Sequence, residues 1–413
     1  MSEAAPAFRQ DRMVHGYIGV SAFSGGGDAA WTVAVAWTAV QLASPVVAGL
    51  IVAAGTIPRA LVLLLGGVVA DRVDAIRLMR VTNLARALVV IAVAAVAFVD
   101  ALSVGVLVTA AVCFGVADAL YNPSSATVPR QLVRPDDLPA YYGVAQTALR
   151  LGTMGGAALG GVLVAQWGIG AVALADAITF LVHAGFVLRL RPRFALPRAA
   201  AEPALVGIKA GFAYLRNEAV TRTLVLTLSG LNLAVTPALT LGIAVRAEAE
   251  GWGASMVGLA SSLVGAGAVL GAIGFVPFRP RRPAAWGFGM LVVQGLAIVS
   301  LGFGDRVVTS IGCVAIGVTA GAASTVLSAV FASVVDPTYH GRMASIQALG
   351  DDVLMPGANA AFGALVSTTM IAVPFVVYGA AMALLMIAAL GNPTIRRLHI
   401  PRTGGQNAPA GPV

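Results

Sequence analysis

Ionisable side chains stand inside several long apolar runs of this sequence, and they are the first candidates for chemistry. Asp28 follows three glycines in the first run, and Arg150 lies in the middle of the fifth. Arg59 lies in the second run, and the adjacent acids Asp351 and Asp352 lie in the eleventh. A charge in an apolar environment is costly, so each of these residues is a functional candidate. We predict that Asp28 couples to a proton or a substrate and that Arg150 is its partner. The alternative is a permanently charged aspartate neutralised by an arginine.

The composition places these residues in a membrane protein. Of the 413 residues, 58% are hydrophobic and only 11% are charged, with a mean hydropathy of +0.89. A soluble protein carries roughly 25% charged residues. A helix of about 20 apolar residues crosses a hydrocarbon core of about 30 Å. We therefore predict an all-α polytopic membrane protein with twelve transmembrane helices, at about 13–41, 45–70, 78–99, 102–121, 140–166, 170–190, 220–245, 254–278, 284–304, 307–335, 343–368 and 371–391.

The arginines predict the orientation and the domains. Nearly all lie in alternate connections, which by the positive-inside rule makes both termini cytoplasmic, in a multi-pass protein of the plasma (inner) membrane. A basic, proline-rich segment with a short amphipathic helix separates six spans from six. The predicted domains are a tail (1–12), a six-helix bundle (13–190), a linker (191–219), a second six-helix bundle (220–391) and a cytoplasmic tail (392–413).

The two halves show a weak internal repeat. Val108-Thr109-x-x-x-Cys113 recurs as Val308-Thr309-x-x-x-Cys313, at the same place in the fourth and tenth spans. Such a repeat in a six-plus-six layout predicts two parallel six-helix repeats.

Other functional classes find little support in the residues. No glycine-rich stretch has the lysine of a phosphate-binding loop, and no His, Cys and carboxylate group has metal-ligand spacing. The net charge of +8 lies in short loops between apolar runs, which favours a lipid bilayer over nucleic acid as the partner. We predict a monomeric protein that is not an enzyme, needs no cofactor or metal, and draws its energy from a gradient or from a partner.

A charged loop between the second and third spans carries a motif. Gly67-x-x-x-Asp71-Arg72, with Arg77 following, resembles the corresponding loop of major facilitator superfamily transporters. The resemblance implies that Asp71 faces the eleventh span and holds the cytoplasmic side closed in one state. Arg72 or Arg77 would then pair with Asp118, near the cytoplasmic end of the predicted fourth span. The alternative is a solvated loop that only sets topology.

Glycines recur through the fifth span at close to four-residue spacing: Gly152, Gly156, Gly160 and Gly161. They form a bare helix face on which a partner helix can pack closely. The pattern also resembles the antiporter motif of drug-exporting members of the same superfamily, which have proline where this chain has Ala157.

The resemblance extends along nearly the whole chain, through Ser44-Pro45, Asn122-Pro123 and Gly341-Arg342. The chain is similar to the twelve-span drug:proton antiporter branch, which includes macrolide, multidrug and siderophore exporters. In that fold the second and eleventh spans face each other, which suggests an Arg59–Asp351 or Arg59–Asp352 bridge. The implied function is export of a small-molecule substrate, hydrophobic or amphipathic, by a secondary active transporter that draws its energy from a proton gradient. An importer of a polar nutrient and a non-transporting membrane scaffold are the alternatives.

Several further polar residues lie within spans. Asp176 and His183 are seven residues apart and therefore share a face of the sixth helix. We expect His183 to be a neutral histidine whose polar atoms are satisfied within the bundle. The alternative is a proton relay, because histidine titrates near neutral pH. Gln294 and Phe331 belong to a group that could line a cavity or simply pack.

Overall fold

The computed structural model describes residues 6–62, 74–194, 204–275, 280–336 and 339–396. Its first half contains α1 (Arg12–Leu42), α2 (Pro45–Val62), α3 (Ala75–Phe98) and α4 (Val104–Leu132). A continuous helical stretch, Leu138–Val187, is broken at Gly168, whose φ of 73° is positive, and forms α5 (residues 138–167) and α6 (residues 169–187). Glycine adopts this φ without a steric cost, so the chain can reverse between the two helices.

The second half repeats this plan after the predicted amphipathic helix, which is α7 (Ala204–Asn217). The spanning helices that follow are α8 (Ala219–Ala249), α9 (Ala254–Phe275), α10 (Pro283–Ser300), α11 (Arg306–Val334), α12 (His340–Thr368) and α13 (Ala372–Gly391). A short α14 (Pro393–Arg396) ends the described chain. Within α8 a π-helical segment, Ala238–Gly242, follows Pro237, which lacks a backbone N–H. The twelve predicted spans and the all-α fold class are confirmed.

Length and hydropathy mark nine of the described helical segments as able to cross a membrane, and one of them, Pro135–Val187, contains both α5 and α6. The remaining two spanning helices are α1 and α12, which carry Asp28 and the acids Asp351 and Asp352. Exposed leucines such as Leu88, 69% exposed, cover the outside of the bundle. Such a surface is suited to lipid, where apolar side chains need no covering.

Consecutive spans alternate in direction. The end of the bundle where α1 and α12 begin is here called the basic face, and the end where α2 and α9 begin is called the far face.

Close glycine contacts join the two six-helix halves. Gly49 of α2 lies against the Asn359 carbonyl of α12, and Gly161 of α5 lies against Gly258 of α9. Towards the middle of the bundle, Ser262 Oγ donates to the Met154 carbonyl at 2.8 Å. These contacts hold the halves together from the far face to mid-bundle.

The N-terminal segment is tied to the start of the linker at the basic face. Asp11 caps α1 by accepting from the Val14 amide at 3.2 Å and also pairs with Arg193. The Phe8 amide donates to Asp137 at the start of α5 at 3.2 Å. Burial raises the pKa of Asp11, but the hydrogen bonds from Arg193 and the backbone amides outweigh it, so this pKa lies below its ordinary value.

Neutralising Asp11 is expected to loosen the linker. Because its pKa is depressed, the stabilisation is complete above the ordinary carboxyl pKa of about 3.9 and is lost as the pH falls through the lower folded value. Asp11→Asn keeps a capping side chain and mimics the protonated state. Trypsin at pH 7.5 should then cleave after Arg193 faster than in the wild type. Asp136→Asn, at an exposed neighbour, is the control, and equal rates in both variants would contradict the contact.

Candidate functional site

Helix α3 turns its polar residues inward. Leu84, Leu88 and Ile91 are exposed on one face, whereas Asn83 and Arg86 on the other are 0% and 2% exposed. This is the reverse of a soluble amphipathic helix and is typical of a helix whose outer face contacts lipid. Arg86 lies eleven residues after Ala75, about 16 Å along the helix. Nearly all arginines were expected in the connections between spans, and Arg86 corrects this expectation, since it is buried in the first half.

Arg86 contacts two carboxylates from two other helices. Its Nη2 lies 2.5 Å from Asp118 Oδ1 on α4, and its Nη1 lies 3.8 Å from Asp28 Oδ2 on α1. The guanidinium plane lies over Tyr121, 4.1 Å from the ring centroid, and 5.4 Å from the centroid of Phe180. The Arg86 side chain is 3% exposed, while Asp28 and Asp118 are 42% and 31% exposed. A fixed cation is therefore shared by two acids that each reach open space.

Asp118 was predicted to pair with Arg72 or Arg77. The pairing with Arg77, which the structure describes, is wrong, and Arg72 lies outside the described residues. Asp118 pairs with Arg86, and Arg77 is exposed near the start of α3. Helix α4 continues through Pro123 and Pro129 to Leu132, so Asp118 lies fourteen residues, about 21 Å, from its basic-face end. Membrane helices tolerate proline because neighbouring groups satisfy the freed carbonyls. Asp118 is thus a mid-bundle residue, level with Arg86 and too deep for Arg77.

The predicted pairing of Asp28 with Arg150 is also wrong, although α1 and α5 are indeed neighbours. Gly152 and Gly156 lie against the backbone of α1, where a Cβ on Gly156 would be 2.0 Å from the Gly26 carbonyl oxygen. Two residues correspond to 200° around a helix, so Arg150 lies nearly opposite Gly152. Arg150 is exposed accordingly, and Arg86 takes its place beside Asp28.

The glycine frame of α5 serves two partners. Gly160 continues the contact of Gly152 and Gly156 with α1, at Ala30. Gly161 lies one residue further round and meets Gly258 and Ala254 of α9. These glycines therefore allow close packing against α1 in the same half and against α9 in the other half. Their antiporter role stays a prediction.

Two further ionisable residues of α6 lie fully buried near this cluster. Asp176 is 0% exposed; its Oδ1 accepts from Thr179 at 3.0 Å, and its Oδ2 has no hydrogen-bond partner among the described residues. His183, also 0% exposed, lies between Tyr17 and Tyr121, with ring centroids 6.0 and 6.1 Å away. Neither nitrogen of His183 has a partner in the described chain, so the expectation of a satisfied histidine is wrong.

An ion pair joins the two halves. Arg59 of α2 pairs with Asp352 of α12 through two groups, and its Nε lies 2.9 Å from Asp352 Oδ2. Asp351 instead accepts from Asn232 Nδ2 of α8 at 2.7 Å. Adjacent helical residues point about 100° apart, so one acid faces the opposite half and the other faces its own. Of the two predicted bridges, the structure contains Arg59–Asp352.

Three predicted gate residues, Gly67, Asp71 and Arg72, lie outside the described residues. Within the described chain, no group of three His, Cys, Asp or Glu side chains is arranged to hold a metal ion. The described site therefore comprises Asp28, Arg86, Asp118, Asp176 and the Arg59–Asp352 pair.

Comparisons with known proteins agree on the fold. The crystal structure of the nucleoside transporter NupG (D323A mutant) matches with a TM-score of 0.70 at 12% identity, covering 91% of this chain and 98% of that one. The inward-open xylose transporter XylE from E. coli gives 0.69 at 14%, covering 91% and 95%. An auto-inhibited POT family peptide transporter gives 0.70 at 12%, covering 97% and 99%. At such identities the likeness concerns the fold alone.

Sequence comparison identifies the family, which a likeness of fold alone does not show. Among curated protein sequences, none is significantly similar to this chain. The family model of the Major Facilitator Superfamily matches residues 17–355, which is most of the chain. With the twelve-helix fold, this match identifies a multi-pass membrane protein and a secondary transporter. The chain therefore belongs to the major facilitator superfamily.

Proposed function

We propose that this transporter is a proton-coupled exporter of small hydrophobic or amphipathic compounds, such as drugs, and that it works as a monomer in the plasma membrane. The observation that carries the proposal is the buried Arg86 shared between Asp28 and Asp118. With Asp176, three carboxylates lie near one guanidinium in the first half. Buried charge without a partner is costly, so such a cluster favours binding at least one proton.

Asp28 is the group best suited to exchange that proton. Its 3.8 Å contact with Arg86 is longer than the 2.5 Å contact of Asp118, so it loses less attraction on protonation. It is also the more exposed acid, which gives protons access. Asp118 then keeps Arg86 paired in both states. Protonation of Asp28 would free α1 from α3, and the α1–α5 contact would transmit the change.

Access to the centre would alternate by rocking of the two six-helix halves. We propose that the basic face is cytoplasmic, in keeping with its arginines, and that the present contacts close the far face. The Arg59–Asp352 pair would lock this state. In the opposite state, the loop with Gly67, Asp71 and Arg72 would close the basic face, as the family motif implies.

Exchanging the charges of the lock is expected to rescue transport. Arg59→Asp and Asp352→Arg should each lower transport more than tenfold, because each places like charges together across the two halves. The double variant should recover most of the loss, since the attraction returns with its sign reversed. Efflux rates normalised to membrane protein give the comparison. Arg306→Asp, at an exposed far-face arginine, is the control, and a double variant no better than either single one would contradict the lock.

Efflux from cells tests the function itself. Cells that overexpress the protein are loaded with ethidium, a Hoechst dye and a panel of antibiotics, with and without a protonophore. Proton-coupled export lowers accumulation of at least one compound, and the protonophore abolishes the difference. Asp28→Asn should lose this export, whereas Asp74→Asn, which keeps its capping position before α3, should retain it. An increase in accumulation would favour import, and no change for any compound would contradict drug export.

A further inference from the structure

The second half contains a cavity of about 390 Å³ between α8, α10, α11 and α12. Its walls are mainly apolar, with Leu228, Leu231, Leu291, Leu327 and Phe331 among them. None of the lining residues that the structure describes is ionisable. The acids of α12 are engaged elsewhere, since Asp351 accepts from Asn232 and Asp352 pairs with Arg59.

One polar group is buried in this wall. Gln294 of α10 is 2% exposed, and its Oε1 has no hydrogen-bond donor among the described residues. A buried amide oxygen without a partner costs about 1–3 kcal/mol, so a donor brought into the cavity would be favoured there. The buried amide is the feature that distinguishes this cavity from a simple packing gap.

The position of the cavity is related by the internal repeat to the charged cluster of the first half. The cavity lies between the seventh, ninth, tenth and eleventh spans, which correspond to the first, third, fourth and fifth. Asp28, Arg86 and Asp118 lie on the first, third and fourth spans. The same place in the two repeats therefore holds charge in one half and apolar space in the other.

We propose that this cavity is a binding site for an uncharged, mainly apolar small molecule that donates one hydrogen bond to Gln294. A charged ligand would lose its hydration without meeting a counter-ion, which excludes ions as ligands. A ring system fits the apolar walls, and a hydroxyl or N–H group satisfies Oε1. As a site for the exported compound, the inference rests on the proposed export function; as a binding site, it stands independently. Together with proton exchange at Asp28, this site would place proton binding in the first half and substrate binding in the second half.

Binding of 2-naphthol tests the site without any gradient. Its own fluorescence is titrated against the purified protein in nanodiscs, with empty nanodiscs subtracted, and naphthalene serves as the analogue without a hydroxyl. Gln294→Leu should weaken 2-naphthol binding about tenfold, the effect of one hydrogen bond, and leave naphthalene binding unchanged. Ser324→Phe, which fills the cavity from an exposed lining position, should abolish binding of both.

Controls separate the site from folding and from transport. Gln146→Leu, at an exposed glutamine of α5 outside the cavity, should bind both probes like the wild type. Gln294→Met is a second variant in case leucine reduces the yield of monodisperse protein. Equal 2-naphthol affinity in the wild type and Gln294→Leu, or no saturable binding, would overturn the proposal. Binding without efflux from cells would leave the site standing and reject the export function, while efflux indifferent to Gln294→Leu would reject only the role of this site for the exported compound.

Discussion

Replacing Arg86 by methionine is expected to abolish transport and to lower the thermal stability of the purified protein. Methionine keeps the apolar stem over Tyr121 and Phe180 but removes the charge between Asp28 and Asp118. Removing one partner of a buried ion pair typically costs about 3–5 kcal/mol because the remaining charge is uncompensated. Thermal denaturation in detergent and efflux from cells measure the two effects.

The matched controls for Arg86 lie on the same pair of helices. Arg130→Met removes an exposed arginine of α4 and should leave both readouts near the wild type. Adding Asp118→Asn to Arg86→Met should recover part of the stability, because one of the uncompensated charges is gone while Asp28 remains, without recovering transport. An Arg86→Met protein with normal stability and normal efflux would contradict the central position of this residue.

Replacing Gly156 by valine is expected to prevent assembly of the first half. A Cβ at this position would lie 2.0 Å from the Gly26 carbonyl oxygen and 2.5 Å from the Gly26 Cα. Both are backbone atoms, so relief requires α1 and α5 to move apart along their whole contact. Overpacking of a core costs about 1–3 kcal/mol and more where the backbone itself must shift.

The neighbouring glycine provides the control for Gly156. Gly155 is exposed and has no atom within 4 Å of its added Cβ, so Gly155→Val should be tolerated. The yield of monodisperse protein after extraction, followed by its melting temperature, compares the two variants directly. Similar yield and stability for Gly156→Val and Gly155→Val would show that the close α1–α5 contact is wrong.

Long apolar runs were enough to predict the twelve spans, because a membrane segment must be long, mainly apolar and helical, although length and hydropathy together mark ten of these helices and not α1 and α12. The glycine spacing likewise predicted a bare packing face on α5. It did not identify the partners, since periodicity gives a face but not its neighbour. Only in the structure do Gly152, Gly156 and Gly160 meet α1 while Gly161 meets α9.

The charged site was predicted less well, because the depth of a charged residue in the bundle and the neighbouring helix that it faces were misjudged. Arg86 lies inside the predicted third span, and this depth was the available signal, yet nearly all arginines were interpreted as residues of the connections. Asp118 was placed near a helix end because the fourth span was predicted to end at about residue 121, whereas α4 continues to Leu132. Arg150 was predicted to pair with Asp28 because their helices were expected to be neighbours. The helices are neighbours, but the Arg150 side chain faces away from α1. By contrast, Arg59 and Asp352 were paired across the correct two helices.

Proton exchange at Asp28 is the step on which the proposed export depends most. Inside-out membrane vesicles energised to an acidic interior, with a fluorescent pH indicator, report this directly when an exported compound is added. The wild type should show an immediate, compound-dependent loss of the pH gradient, and Asp28→Asn should show none while still folding normally. A compound-dependent proton flux that is undiminished in Asp28→Asn would contradict the account, as would transport by the wild type with no proton flux at all.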